Sequence, residues 1–410
     1  MIRSMFTAIS SLSLQQKYLD VVSNNLANAN TMGFKASRVL SQDQFSQMMS
    51  PGSAPTATQG GVNPTQIGLG VNLGYISANF TQGVLQSTGR NMDLGVQGDG
   101  FFIYGNENRR YSREGSMSLD MEGNLVNSAS GLRTQGWMAD ATGKIDTGLP
   151  VDDINIVTDR TLAKATTDVV LGGNLSSDAV TSATPTTISM GVYDSLGKLQ
   201  MASITFTRTA APLTWGWAIT SSPAGAAGAG SITFDGNGQI VSPIAGPTTP
   251  ISIPASAGAK TPFSPKIDFS KLTQLAAANS ATVTSQDGLS AGNVTDVYIS
   301  PNDGIISLMY SNGLSEQVGQ VALARFNNPT GLMKGEDTSF LAGLNSGDAQ
   351  IGAASTGGRG SIASSYLEAS NVDMAQEFTN MILAQRGFQA SSRVITTSDE
   401  ILQELVNLKR

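Results

Sequence analysis

The sequence predicts a mainly β chain with paired terminal α-helices. The N- and C-terminal helices form a coiled-coil-like domain, with nested discontinuous β domains between them. Three observations predict this. Apolar residues recur at alternating spacings of three and four at both ends of the 410-residue chain, the period of a helix with a narrow apolar stripe. Between the ends, short runs alternate in hydrophobicity. Clusters of Gly, Asn, Asp and Pro separate those runs as turns.

The first helix is predicted from Ile2 to Leu26, where the stripe reads Ile2, Met5, Ile9, Leu12, Gln16, Leu19, Ser23 and Leu26. One seven-residue series, Met5, Leu12, Leu19 and Leu26, is apolar throughout, whereas its companion turns polar at Gln16 and Ser23. At 1.5 Å per residue the helix spans about 40 Å. Asn24, Asn25, Asn28 and Asn30, then Gly33, predict its end. At the other terminus, Ser370-Asn371-Val372-Asp373 has the spacing of a capping box and predicts a second helix start. Met374, Met381, Phe388, Ile395 and Leu402 then form an unbroken seven-residue series. Its companion, Phe378, Gln385, Ser392, Asp399 and Val406, is apolar only at its ends. Asp373 and Glu377 near the start and Lys409-Arg410 at the finish suit the helix dipole.

Such stripes ordinarily pack on the core of their own domain. Here both lie at the extreme termini and both carry polar interruptions. Two thin helices with one apolar edge apiece bury each other only in part, so packing between copies of the chain is an equal reading. Its predicted contact residues are Met5, Ile9, Leu12, Leu19, Leu26, Met374, Phe378, Met381, Phe388, Ile395 and Leu402.

The middle of the chain is predicted as β. Ser50 to Gly70, with Pro51, Pro55 and Pro64, reads as a long loop without periodicity. Strands are expected at Val71–Phe80, Asn91–Gln97, Gly100–Tyr104, Arg110–Arg113, Ser116–Leu119 and Asn124–Val126. A second block holds a hairpin, Thr187–Tyr193 and Leu199–Arg208, turned by Asp194-Ser195-Leu196-Gly197. A third covers Asp296–Ile299, Ile305–Tyr310 and Gln317–Phe326. Ser221–Ser231 and Pro243–Pro265 read as loops, and 343–360 as a Gly/Ala/Ser-rich boundary. The expected domains are residues 1–35 with 365–410 (terminal helices), 36–70 (linker and extended loop), 71–150 with 290–364 (inner β domain) and 151–289 (inserted outer β domain).

Composition narrows the chemistry. The chain has no His and no Cys, which excludes Ser-His-Asp and Cys-His catalysis, His-ligated zinc, disulfides and iron–sulfur clusters. Only 13% of residues are charged and the net charge is −7, which offers nucleic acid or anionic lipid no attraction. No run of 18 or more apolar residues exists, so membrane insertion by a helix is not expected. Met1 to Leu14 loosely imitates a signal peptide, but five Ser and Thr residues interrupt it and the helical period runs on, so no cleavage is expected.

The motif search is nearly empty, and no cofactor or metal is expected. The glycines of Gly68-Leu69-Gly70-Val71-Asn72-Leu73-Gly74 lack dinucleotide-site spacing. Asp235-Gly236-Asn237-Gly238 and Pro301-Asn302-Asp303-Gly304 lack the ligand spacing of a calcium loop and read as turns. Asp152-Asp153 is the one carboxylate pair open to glycosidase chemistry, but adjacent residues of a strand point apart. Trp215 and Trp217 share one side of a strand and read as a packed face rather than a sugar platform.

One stretch carries more. Val21-Val22-Ser23-Asn24-Asn25-Leu26-Ala27-Asn28-Ala29-Asn30-Thr31-Met32-Gly33-Phe34-Lys35 strongly resembles the N-terminal signature of the bacterial flagellar rod and hook family of axial proteins. Leu367-Glu368-Ala369-Ser370-Asn371-Val372-Asp373 and Ala384-Gln385-Arg386-Gly387-Phe388-Gln389 resemble its C-terminal counterpart. Asp93-Leu94-Gly95-Val96 to Phe102, and Tyr111-Ser112-Arg113-Glu114-Gly115, also match, so the resemblance covers roughly half the chain. The signature positions are Asn24, Asn25, Asn28, Gly33, Phe34, Lys35, Ser370, Asn371, Val372, Asp373, Gln385 and Arg386.

The resemblance implies a homo-oligomer, a helical tubular polymer. It implies export through the flagellar type III apparatus without a cleaved signal, and an extracellular place in the basal body and hook. Implied partners are the rod proteins, the hook–filament junction proteins and the cap present during assembly. Val192-Tyr193-Asp194-Ser195-Leu196-Gly197 resembles the middle domain of the family's hook-type members, which form a flexible torque-transmitting tube. The insertion from Ser50 to Gly70 is more like that of distal-rod-type members, the alternative within the family. From another class, the alternative is a secreted β-rich carbohydrate-active enzyme or binding protein.

Overall fold

The computed structural model describes residues 2–56, 58–180, 185–222, 228–243, 249–260 and 263–407. Lys409-Arg410 and parts of the two expected loops at 221–231 and 243–265 lie outside the described residues. The chain divides into two compact units. One comprises Met1–Ile156, Val297–Ser307 and Gln317–Arg410; the other comprises Val157–Asp296 and Leu308–Glu316.

The first unit contains both terminal helices, α1 (Ile2–Ala27) and α2 (Met374–Asn407). They run antiparallel, since Ser11 meets Ser391 at 3.0 Å while Asn25 meets Glu377 at 3.3 Å. Asn28 Nδ2 donates to the Asn24 carbonyl at 2.9 Å as α1 ends, where the Asn-rich stretch predicts a stop. The start of α2 differs from the capping-box expectation. Asp373, not Ser370, is the cap: its Oδ1 accepts from the Ala375 and Gln376 amides at 2.9 and 3.2 Å. Ser370 stays in the approach to the helix, where its Oγ accepts from the Val372 amide.

The β part of this unit packs Phe101, Ile103, Tyr111, Trp137, Val151, Ala322, Ala324, Phe326 and Phe340 into one core. Its central strands, Phe101–Tyr104, Arg110–Ser112 and Ser339–Leu341, pair antiparallel. Phe80 and Phe101 meet edge to face at 5.6 Å, a favoured aromatic geometry. Gln350–Ala353, inside the expected Gly/Ala/Ser-rich boundary, pairs with the strand that ends at Arg325.

Residues 36–70 depart from the expected linker and loop. Ser37–Asp43 pairs antiparallel with Val71–Ala78, and Ser46–Ser50 pairs with Thr65–Gly68, extended by a bridge between Ser53 and Val62. The hairpin is solvent-exposed on both faces, so no inside–outside alternation marks it in the sequence.

The second unit is a five-stranded antiparallel meander, Thr186–Tyr193, Leu199–Arg208, Thr214–Ser222, Ala229–Phe234 and Ile240–Ser242. Beside it lies a four-stranded sheet in which Asp168–Ser176 and Lys266–Leu275 are parallel. Trp215 and Trp217 are both buried in the shared core, with Trp217 at 5.5 Å from Phe269. Asp235 pins its turn by accepting from the Asn237 and Gln239 amides. The predicted hairpin forms with Tyr193 opposite Leu199.

Asp194 holds that hairpin turn. Its Oδ1 accepts from the Leu196 and Lys198 amides, both at 3.0 Å, and its Oδ2 from Ser256 N and Oγ. Burial alone would raise its pKa; the bonds from Ser256, Lys198 and Leu196 outweigh burial and hold it at about 2. A carboxylate depressed in the folded state contributes stability that is present above its unfolded pKa and lost as pH falls through the folded one. Urea melts of Asp194→Asn are therefore expected to show lower stability at pH 7 and a smaller loss between about pH 4 and pH 2 than the parent. An unchanged acid limb contradicts this.

Candidate polymerisation interface

The site is built on a buried charge cluster that joins the two ends of the chain. The N-terminal signature delivers Lys35 and the strand Tyr366–Glu368 delivers Glu368; both side chains are 0% exposed. Lys35 Nζ donates to Glu368 Oε1 at 2.6 Å and to the Thr81 carbonyl at 2.8 Å. The same Oε1 accepts from the Gly83 amide at 2.7 Å, and Oε2 faces Arg113 at 3.5 Å. The Arg113 guanidinium stacks 5.0 Å above Phe101. Burial pushes the Lys35 pKa down, with Glu368 opposing; burial likewise lowers Arg113.

Gly33 permits this approach. Its φ is +71°, and a Cβ there would lie 2.7 Å from the Glu114 amide nitrogen. Its own amide donates to the Glu368 carbonyl at 2.7 Å. Two asparagines clasp the backbone on either side. Asn25 bonds both the amide and the carbonyl of Ser37, at 2.9 and 2.8 Å. Asn371 accepts from the Ala36 amide at 2.8 Å and donates to the Asn79 and Thr81 carbonyls. Phe34 is buried, with Lys334 Nζ 4.9 Å from its ring centroid.

Between the helices the seam is narrow. On α2 its buried positions are Ala384, Ser391 and Ser398, seven residues apart; on α1, Ala8 and Val22 are buried. A Cβ added at Gly387 would come 2.8 Å from the Gln15 amide nitrogen, so the helices approach closely there. Small residues allow that approach and consume little of the apolar stripe. Met5, Leu12, Leu19, Leu26, Met381, Phe388, Ile395 and Leu402 are half-buried. Ile9, Met374 and Phe378 are exposed, at 45%, 50% and 52%. Phe6, Ile382, Leu383, Val394, Ile401 and Val406 are exposed as well, the first five of them off the predicted series. Their signal in the sequence is an apolar residue beside, rather than on, the seven-residue repeat.

The signature residues split by environment. Asn25, Gly33, Phe34 and Lys35 are buried; Asn28, Ser370, Asn371 and Val372 are half-buried; Asn24, Asp373, Gln385 and Arg386 are exposed. Lys35, Glu368 and Arg113 together are the part that spacing does not reveal, since Lys35 and Glu368 are 333 positions apart. Asp152 and Asp153 do not converge. Asp152 accepts from Asn106, whereas Asp153 accepts from Arg133 at 3.1 Å and from Gln135. Among the described residues no group of three or more Asp or Glu side chains is placed to hold a metal ion.

A β-rich chain closed by its own two terminal helices, with apolar side chains left on the outside of that pair, is the design of an axial subunit. Three family models agree: "Flagella basal body rod protein" over residues 5–35, "Flagellar basal body protein FlaE D2 domain" over 159–289, and "Flagellar basal body rod FlgEFG protein C-terminal" over 363–408. The chain is 38% identical to the flagellar hook protein FlgE of Borreliella burgdorferi, over 100% of both chains. It is 34% identical to that of Salmonella typhimurium, over 98% of this chain and 99% of the relative. The flagellar basal-body rod protein FlgG of Bacillus subtilis matches at 31%, over 100% of both. The chain belongs to the flagellar hook protein family.

Removing one member of a buried ion cluster leaves the others unpaired, at a cost of about 3–5 kcal/mol. Glu368→Ala is expected to lower the stability of the first unit by that amount in chemical denaturation, and Lys35→Met by less, because Arg113 stays paired. Equal stability for parent and Glu368→Ala contradicts the assignment.

Proposed function

We propose that this chain is the structural subunit of a bacterial flagellar hook, assembling with copies of itself into a flexible helical tube that transmits torque from rod to filament. The observation that carries this is the outward apolar face of the terminal helix pair. Phe378, Ile382, Leu383 and Ile9 stay exposed among the described residues, and burying each is worth about 1.5–3 kcal/mol. Several such side chains per copy supply a strong drive to associate, in a protein that belongs to this family.

In this reading residues 1–35 and 365–410 polymerise, and the helices order fully only when neighbours cover them. The predicted stripe from Met5 to Leu26 and from Met374 to Leu402, with Phe378, makes the contacts. Residues 71–150 with 290–364, and 151–289, act as the β domains, whose sparse charge lets contacts between copies shift as the tube bends. Export through the type III apparatus, without a cleaved signal, precedes assembly under a cap outside the cell. The finished tube adjoins the rod at one end and the junction proteins at the other.

The exposed hairpin at Ser46–Ser50 and Thr65–Gly68 favours a second reading, the distal rod, because it offers an extra contact that stiffens a tube. Electron microscopy of the purified chain separates these. Curved tubes are expected; straight tubes favour the rod, and a soluble monomer at high concentration contradicts both. Ile9→Asp with Phe378→Asp is expected to abolish tubes while circular dichroism shows the β content unchanged.

A further inference from the structure

The second helix carries a line of charge with no ion-pair partner among the described residues. Arg386, Arg393, Glu400 and Glu404 are all exposed on α2. Their spacings of seven, seven and four keep them within about 40° of one another around the helix, at 3.6 residues per turn. Ala384, Ser391 and Ser398, which face α1, lie about half a turn away. The line therefore points away from α1. Read along the helix, it is two positive charges followed by two negative ones.

None of the four forms an ion pair among the described residues, where every ion pair lies elsewhere. Arg386 bonds neutral Gln389 at 3.4 Å. About a quarter turn from the line runs an exposed apolar ridge, Leu383, Val394 and Ile401. A ridge to bury, edged by charges that repel the wrong alignment, is the anatomy of a protein contact.

We propose that this line sets the axial register between neighbouring helix pairs, and that its partner is a second copy of this chain. The proposal rests on the tube-subunit reading above. A tube grown from one repeated head-to-tail contact keeps its copies parallel. An unshifted parallel neighbour places Arg against Arg and Glu against Glu. A shift of 11 residues brings Arg393 level with Glu404, one of 14 brings Arg386 level with Glu400 and one of 18 brings Arg386 level with Glu404, whereas one of 7 also sets Arg386 against Arg393. At 1.5 Å per residue the register is therefore a shift of about 17–27 Å. The ridge supplies affinity and the charge line rejects other alignments, since exposed ion pairs add little affinity of their own.

Two full-length variants test this. Arg386→Glu with Arg393→Glu makes the line all acidic; Glu400→Lys with Glu404→Lys makes it all basic. Each alone is expected to raise the critical concentration for tubes at least about ten-fold. An equimolar mixture is expected to restore tubes, because the acidic line of one meets the basic line of the other. Wild-type tubes together with variants that assemble equally well, or a mixture no better than its components, overturn the register alone. A wild-type chain that forms no tubes overturns the subunit reading and this register with it. Should charge reversal unfold a variant, salt decides. Wild-type assembly is expected to weaken with added NaCl, while Arg386→Gln, Arg393→Gln, Glu400→Gln and Glu404→Gln combined does not respond. Equal salt response overturns the proposal.

Discussion

The interaction on which the rest depends is the buried bond between Lys35 and Glu368. A carboxylate removed from water is tolerated only where donors surround it, and here Lys35, Arg113 and the Gly83 amide do so. The three come from three separate stretches of chain. Closing the cluster therefore brings the segment after α1, the segment before α2 and the β core to one point. Asn25 and Asn371 secure the same junction through backbone bonds. This polar chemistry anchors both helices at one end; in the proposed tube their exposed apolar sides are covered by other copies.

That division explains the seam. If the helices met through Met5, Leu12, Met381 and Phe388 at full burial, they would satisfy each other and have little reason to associate further. They meet instead through Ala8, Val22, Ala384, Ser391 and Ser398. Small residues bring the backbones close and turn the larger side chains toward the flanks. A close approach of the two helices and an unsatisfied surface follow from the same choice of residues.

Much of this was legible in the sequence, and the losses have physical reasons. The terminal helices follow from their period, and the Thr186–Arg208 hairpin from its turn. The seam on α2 escaped because period analysis weighs apolar residues, while Ser391 and Ser398 look like solvated positions. The hairpin from Ser46 to Gly68 escaped because both its faces meet solvent. Lys35 and Glu368 stand 333 positions apart in two separate signatures; only the fold shows that they share one dry site. Asp373 is the cap expected of Ser370 because α2 begins only at Met374, after Asn371 has tied the approach to the backbone at Ala36, Asn79 and Thr81.

The central claim is that the helix pair is anchored within the chain but completed by its copies. Hydrogen–deuterium exchange on the wild-type chain, as monomer and as assembled polymer, tests it most directly. Amides of Ile2–Ala27 and Met374–Asn407 are expected to exchange quickly in the monomer and slowly in the polymer, while those around Lys35, Gly83 and Glu368 stay protected in both. Helices already as protected in the monomer as in the polymer would contradict the account.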